Sequence, residues 1–141
     1  MEKKAINILL VEDDEVDVES VMRSLRRHRI ANRVTVARDG LEALEILRGE
    51  ADQTVRRPVI VLLDINMPRM NGLEFLRVVR GDKDLRDLVV FVLTTSSNQQ
   101  DIYTAYDLSV AGYMLKDDVG EGFHEAVHLI DHYWRVVELR L

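Results

Sequence analysis

The sequence predicts an α/β domain in which five parallel strands form one doubly wound sheet, order 2-1-3-4-5, with helices on both faces. Three observations carry this expectation. Continuous runs of Val, Ile and Leu, as at 6–11, 58–63 and 88–93, have the pattern of strands buried on both faces. Stretches of helical period separate the runs, so that strand and helix alternate five times. Four of the apolar runs end in charged or hydroxyl residues: VEDD at 11–14, LLDIN at 62–66, VLTTS at 92–96 and YMLK at 113–116. Open parallel sheets bind ligands at the carboxyl ends of their strands, so function is to be sought at these ends.

In order, Ile6–Val11 reads as the first strand and 16–29 as the helix after it. Residues 34–37 form a shorter strand, placed by the alternation. Asp39-Gly40 introduces a second helix over 41–48, which Gly49 stops. Residues 58–63 are the third strand, Asn71-Gly72 precedes a helix over 73–80, and Gly81 marks its end. Residues 88–93 are the fourth strand, Asn98 caps a helix over 99–108, and Gly112–Leu115 is a short fifth strand. A last, extended helix is expected over 123–139.

A chain of 141 residues is about one domain and can bury a full core, and no linker, repeat or low-complexity segment divides 1–141. The net charge of −6 argues against a nucleic-acid binder, which relies on clustered Lys and Arg. Without cysteine there is no disulfide framework, thiolate nucleophile or Cys-based zinc site, which fits a reducing cytoplasm. The start, MEKKAINILLVEDD, puts Lys3 and Lys4 before an apolar stretch too short for a signal peptide, and no run approaches the roughly 20 residues of a membrane span. The absence of a GxxxxGK loop argues against nucleotide binding. The expectation is a cytoplasmic protein.

Glu12 and Asp13 follow the first strand and Asp64 the third, which is the first strand's neighbour in the expected order. Three carboxylates in one crevice raise the free energy of the fold unless a cation or proton neutralises them. Oxygen-only ligands imply a hard cation, and Mg²⁺ fits best because it bridges carboxylates to phosphate oxygens. The competing reading is a solvated acidic helix start, favourable to the helix dipole. Thr94 offers a hydroxyl and Lys116 an ammonium; with a metal, these are the groups that hold a phosphoryl oxygen set. Taken singly, each also reads as an ordinary loop or solvated residue.

These residues resemble the receiver domain of two-component response regulators over nearly the whole chain: Glu12-Asp13 after ILLV, LLDINMPRMNG at 62–72, Thr94 in VLTTS, and Tyr113 and Lys116 in GYMLK. The resemblance implies that Asp64 accepts a phosphoryl group from a phosphohistidine on a sensor histidine kinase. It implies that Asp13, Asp64 and the backbone carbonyl of Asn66 ligate Mg²⁺, with Glu12 acting through coordinated water. Thr94 and Lys116 would contact the phosphoryl group, and Tyr113 would turn into space that Thr94 vacates, although a static half-buried tyrosine also fits. Thr95 and Ser96, with Asn66, would influence how long the acyl phosphate survives. Such a chain is a phosphoacceptor that assists its own phosphorylation and dephosphorylation, not an enzyme on a separate substrate. The HYW and LTTS segments also resemble the small receivers that serve bacterial phytochrome-type kinases. Most receivers carry proline after the lysine, whereas this chain has Asp117 and Asp118, which leaves the loop after Lys116 unassigned.

No second domain follows, so the expectation is a stand-alone receiver. In the last helix Phe123, Val127, Ile130, Trp134 and Val137 make one apolar stripe, and Ala126, Leu129, Tyr133 and Val136 a second. That is wider than one sheet face requires, which points to an interface and a symmetric homodimer; deeper burial of the helix is the alternative. His124, His128 and His132 share the opposite, polar face, and a solvated surface explains them better than a metal site. Two other functions stay open: a receiver-fold adaptor without phosphotransfer, and a small aspartate-nucleophile phosphatase. The first should have lost one of Asp13, Asp64, Thr94 or Lys116, and the second should carry an acid where Asn66 stands.

Overall fold

The computed structural model describes residues 6–29 and 31–140, so Lys3 and Lys4 of the N-terminal segment lie outside the described residues. The elements are β1 (Ile6–Val11), α1 (Glu15–His28), β2 (Ala31–Ala37), α2 (Gly40–Leu47), β3 (Val59–Leu63), α3 (Gly72–Gly81), β4 (Val89–Thr94), α4 (Gln99–Asp107), β5 (Gly112–Leu115), a 3₁₀ turn (Glu121–Phe123) and α5 (His124–Val136). All strands pair in parallel, in the expected order β2-β1-β3-β4-β5, the flavodoxin-like arrangement. Among the described residues no helix is long and apolar enough to cross a membrane.

The continuous apolar runs follow from a sheet covered on both sides. Successive residues of a strand point to opposite faces, so Leu9 and Val11 of β1 join the core under α2, α3 and α4, while Ile8 and Leu10 join the core under α1 and α5. β3 is buried at every position for the same reason, whereas β5, at the edge, is half-buried throughout.

Side-chain caps set the helix starts. Asp14 accepts from the backbone of Val16 (2.9 Å) and Asp17 (3.0 Å), so part of the acidic run does serve the start of α1. Asp39 caps α2, Asn71 and Glu74 form a reciprocal capping box on α3, and Asn98 caps α4. Gly49, at φ +72°, ends α2 as expected, but α3 runs through Gly81 and stops at Asp82, whose side chain accepts from Asp84 N in the following turn. β2 starts at Ala31, three residues before the expected 34–37. Arg80, half-buried, donates to the carbonyls of Leu108 (2.7 Å), Leu88 (2.8 Å), Arg86 (2.9 Å) and Ser109 (3.1 Å). It thereby ties α3 to the end of α4 and to the entry of β4.

The last helix departs from expectation. Phe123 has left-handed backbone (φ 58°) and caps α5 rather than belonging to it, and Val137 is extended, so the helix is 13 residues and not the extended one over 123–139. Its apolar stripe is core. Ala126, Val127, Ile130 and Trp134 are buried with Phe91, Leu25 and Leu93, because α5 packs on α1 as well as on the sheet. Val127, Ile130 and Trp134 are therefore not available to a partner, contrary to the interface expected from the stripe width. Phe123 and Tyr133 are half-buried against the same core, with the Tyr133 ring edge-on to Phe91 at 5.0 Å, and Val137 lies half-buried past the helix end. Leu129 and Val136 remain exposed. The polar face differs too: His124 and His128 meet His28 of α1, not His132.

Candidate functional site

Strand register brings the four polar ends level. The first residue past β1, β3 and β5 hydrogen-bonds to the end of a neighbouring strand: Glu12 N to Ala37 O (2.9 Å), Asp64 N to Val11 O (3.0 Å) and Lys116 N to Thr94 O (2.8 Å). Glu12, Asp64 and Thr94 are buried, while Asp13 and Asn66 are exposed at the rim. Carboxylate oxygens of Glu12, Asp13 and Asp64 all lie within 4.8 Å of one another. The crevice inferred from strand order therefore exists.

Lys116 holds the acids together. Its Nζ lies 2.6 Å from Glu12 Oε1, 2.6 Å from Asp17 Oδ2 and 3.4 Å from Asp64 Oδ2, and its side chain is 8% exposed. Burial pushes the Glu12 carboxyl up to about 8, against the pull of the Lys116 hydrogen bond, and the charge of Asp64 adds to the rise. Burial alone would lower the Lys116 ammonium, but its bonds to Asp17 and Glu12 and the charge of Asp64 outweigh that and hold it above the ordinary lysine value. Asp64 Oδ1 accepts from Ile65 N at 2.7 Å, which leaves Oδ2 as the oxygen turned to Lys116.

The loop after Asp64 folds back tightly. Gly72 N donates to Ile65 O (2.9 Å), and a Cβ on Gly72 would collide with the Asp64 carbonyl oxygen and sit 2.9 Å from Ile65 Cα. Glycine is needed there for close approach, beyond the turn role read from Asn71-Gly72. Arg69, at φ 62°, pairs with the buried Asp39 at 2.6 Å and pins the loop to the start of α2. Burial would raise the Asp39 carboxyl, but Arg69 holds it below the ordinary value.

Among the described residues the Thr94 hydroxyl makes one long contact, from Ser96 N at 3.4 Å. The Ser96 hydroxyl donates to Asp101 Oδ2 (2.6 Å) in the first turn of α4 and braces the loop; Thr95 is exposed. Tyr113 is half-buried and donates to Ser96 O at 2.8 Å, which couples its ring to the loop that follows Thr94. After Lys116 the chain makes a turn closed by Asp118 N to Leu115 O (3.0 Å). Asp117 and Asp118 are exposed, and Val119 anchors the turn in the core.

Asp17 and Asp101 escaped sequence reasoning. Asp17 sits one turn into α1, where helical spacing from the acidic run could have placed it on the side facing the strand ends; Asp101 left no signal beyond its place in a first helical turn.

Comparison with known proteins agrees with this geometry. The sequence profile of the response regulator receiver domain matches residues 8–128. The response regulator Rcp1 of a Synechocystis species is 34% identical over 128 residues, which is 90% of this chain and 87% of that protein. The crystal structure of the Mn²⁺-bound form of Rcp1 superposes with a TM-score of 0.84 over 96% of this chain and 99% of that one. That of the phosphorylated cyanobacterial phytochrome response regulator RcpA gives 0.82 at 31% identity, over 98% and 100%. On strand order, site geometry and these matches, the chain belongs to the response regulator receiver domain family.

Proposed function

We propose that the protein is a phosphorylation switch in which Asp64 accepts a phosphoryl group from a phosphohistidine of a sensor histidine kinase, with Mg²⁺ at the acidic crevice. The observation that carries this reading is the cluster of Glu12, Asp13 and Asp64 oxygens within 4.8 Å beside a buried lysine ammonium. Hard oxygen donors with excess negative charge suit Mg²⁺, held by Asp13 and Asp64 with Glu12 behind them. When bound, the ion neutralises charge that develops on the phosphoryl oxygens.

An Asp64 carboxylate oxygen attacks phosphorus in line, the P–N bond breaks, and the imidazole nitrogen leaves with the bonding pair. Lys116 gives its positive charge to the transferred group by loosening its hold on Glu12 and Asp17. Thr94, at the floor and without a strong hydrogen bond, is free to donate to a phosphoryl oxygen. Its movement would shift Ser96 and hence Tyr113, carrying the change to α4 and β5. The group is then lost to water, so the protein acts as a self-limiting phosphoacceptor rather than an enzyme on another substrate. Asn66, exposed two residues past Asp64, leaves no second acid for a dedicated phosphatase.

The output is association with a second copy, in the cytoplasm. Tyr103 and Tyr106 of α4, and Leu129 and Val136 of α5, are exposed on the two helices that flank the edge strand β5, which supports a homodimer through this edge. Similarity to the cyanobacterial phytochrome response regulator RcpA supports a phytochrome-type kinase as the donor.

The test is phosphotransfer from ³²P-labelled histidine kinases, phytochrome-type and others, with Mg²⁺. Wild type should take label and Asp64→Asn should not; equal labelling of the variant, or none of the wild type, refutes the acceptor. Light scattering with and without beryllium fluoride tests the dimer, and a monomer in both states refutes it.

A further inference from the structure

We infer that the chain carries a second cation site of different chemistry, formed by His28 of α1 with His124 and His128 of α5, for a borderline divalent transition metal such as Zn²⁺, Ni²⁺ or Cu²⁺. The three rings form a closed triangle: centroids are 5.2 Å apart for His28–His124, 5.1 Å for His28–His128 and 4.5 Å for His124–His128. One ring nitrogen from each lies within 4.8 Å of the others. Tetrahedral coordination at about 2.0–2.1 Å per Zn–N bond places ligand nitrogens roughly 3.4 Å apart. His124 and His128 are exposed, so rotation of their side chains can close the remaining gap of up to about 1.4 Å.

A separate observation fixes a lone pair for the ion. His28 Nδ1 lies 2.8 Å from the carbonyl oxygen of Ser24, which can only accept, so Nδ1 carries the proton and donates. That leaves Nε2 of His28 unprotonated in the neutral ring. A backbone carbonyl that holds one imidazole N–H while the other nitrogen faces outward is the arrangement that orients histidine ligands in metal sites. His124 and His128 are one helical turn apart, which keeps two imidazoles on one side of α5.

The surroundings set the selectivity. Arg23, Arg27 and Glu121 line the groove of about 350 Å³ that runs along α1 to His124, two positive charges against one negative. Their net charge repels a cation held by long-range attraction alone, so binding depends on nitrogen coordination. Mg²⁺ and Ca²⁺, which want oxygen, are excluded, and metals that prefer imidazole are selected. Three protein ligands and solvent exposure leave the fourth position to water or a small anion. An ion here would fasten α1 to the first turns of α5.

The experiment is calorimetric titration of the tag-free full chain with Zn²⁺, in saturating Mg²⁺ so that the acidic crevice is occupied, at a pH above the ordinary imidazole value. One Zn²⁺ per chain is expected, weakened at least tenfold in His28→Gln and in His128→Gln and unchanged in His132→Gln. Co²⁺ supplies a second readout, since visible bands of four-coordinate intensity are expected in wild type and should be lost in His124→Gln, a substitution at an exposed residue that leaves the fold intact. The absence of Zn²⁺ binding in wild type, binding that survives His28→Gln, or a His132→Gln loss equal to that of His128→Gln overturns the assignment.

Discussion

Glu12 and Lys116 show how much of this site is electrostatic stress. In the metal-free protein Glu12 keeps a proton up to about 8 where the unfolded chain releases it near 4.5, so the fold binds the extra proton throughout that window. Stability should therefore fall as pH rises from about 4.5 to 8, and the difference in slope between wild type and Glu12→Gln, from urea unfolding at several pH values, isolates the effect. Mg²⁺ binding near neutral pH should expel protons from wild type, seen as a buffer-dependent calorimetric heat, and fewer from Glu12→Gln. Lys116→Ala leaves the buried acids unpaired and should cost the metal-free protein about 3–5 kcal/mol. Much of that loss should be recovered by Mg²⁺, because the ammonium and the ion serve the same charges. The convergence of Glu12, Asp13, Asp64 and Lys116 on one crevice was legible from their positions after buried strands. The contact of Lys116 with Asp17 was not, because a strand-end lysine can turn to several partners and only the packed side chains decide between them.

At the scale of elements, the β3–α3 connection and α5 carry opposite lessons. The Asn71-Gly72 pair was legible as a helix start, and the capping box bears that out. The second constraint on Gly72, its closeness to the Asp64 carbonyl, is tertiary and leaves no local trace. Asn71→Ala should lose about 1 kcal/mol of stability. Gly72→Ala should lose more and should also slow labelling of Asp64, since the acceptor's backbone must shift to admit the methyl group. In α5 the apolar period was legible, but the number of partners it met was not: α1 and the sheet together bury a wider stripe than a sheet alone. Ile130→Ala should thus destabilise the protein by about 2–5 kcal/mol in denaturant unfolding. Leu129→Ser should change stability by less than about 0.5 kcal/mol and show its effect in molar mass instead.

For the molecule as a whole, the order of strands converts a linear list of polar residues into one rim, and the fold class was legible because each of the strands at that rim's centre is apolar at nearly every position. Ligand binding at the rim acts on the entire fold by mass action. Mg²⁺ at a hundred times its dissociation constant should add about 2.7 kcal/mol of stability, visible as a raised melting temperature in wild type and absent in Asp13→Asn. Arg80 sets how such a change can travel. Its guanidinium fixes the carbonyls of Leu108 and Ser109 to α3, Ala105 seats the middle of α4 in the core, and the Ser96–Asp101 and Asn98 contacts tie the start of the helix to the loop beyond Thr94. The helix is a lever held most firmly at its far end: a shift at the crevice should displace its start more than its end, and so move Tyr103 further than Tyr106.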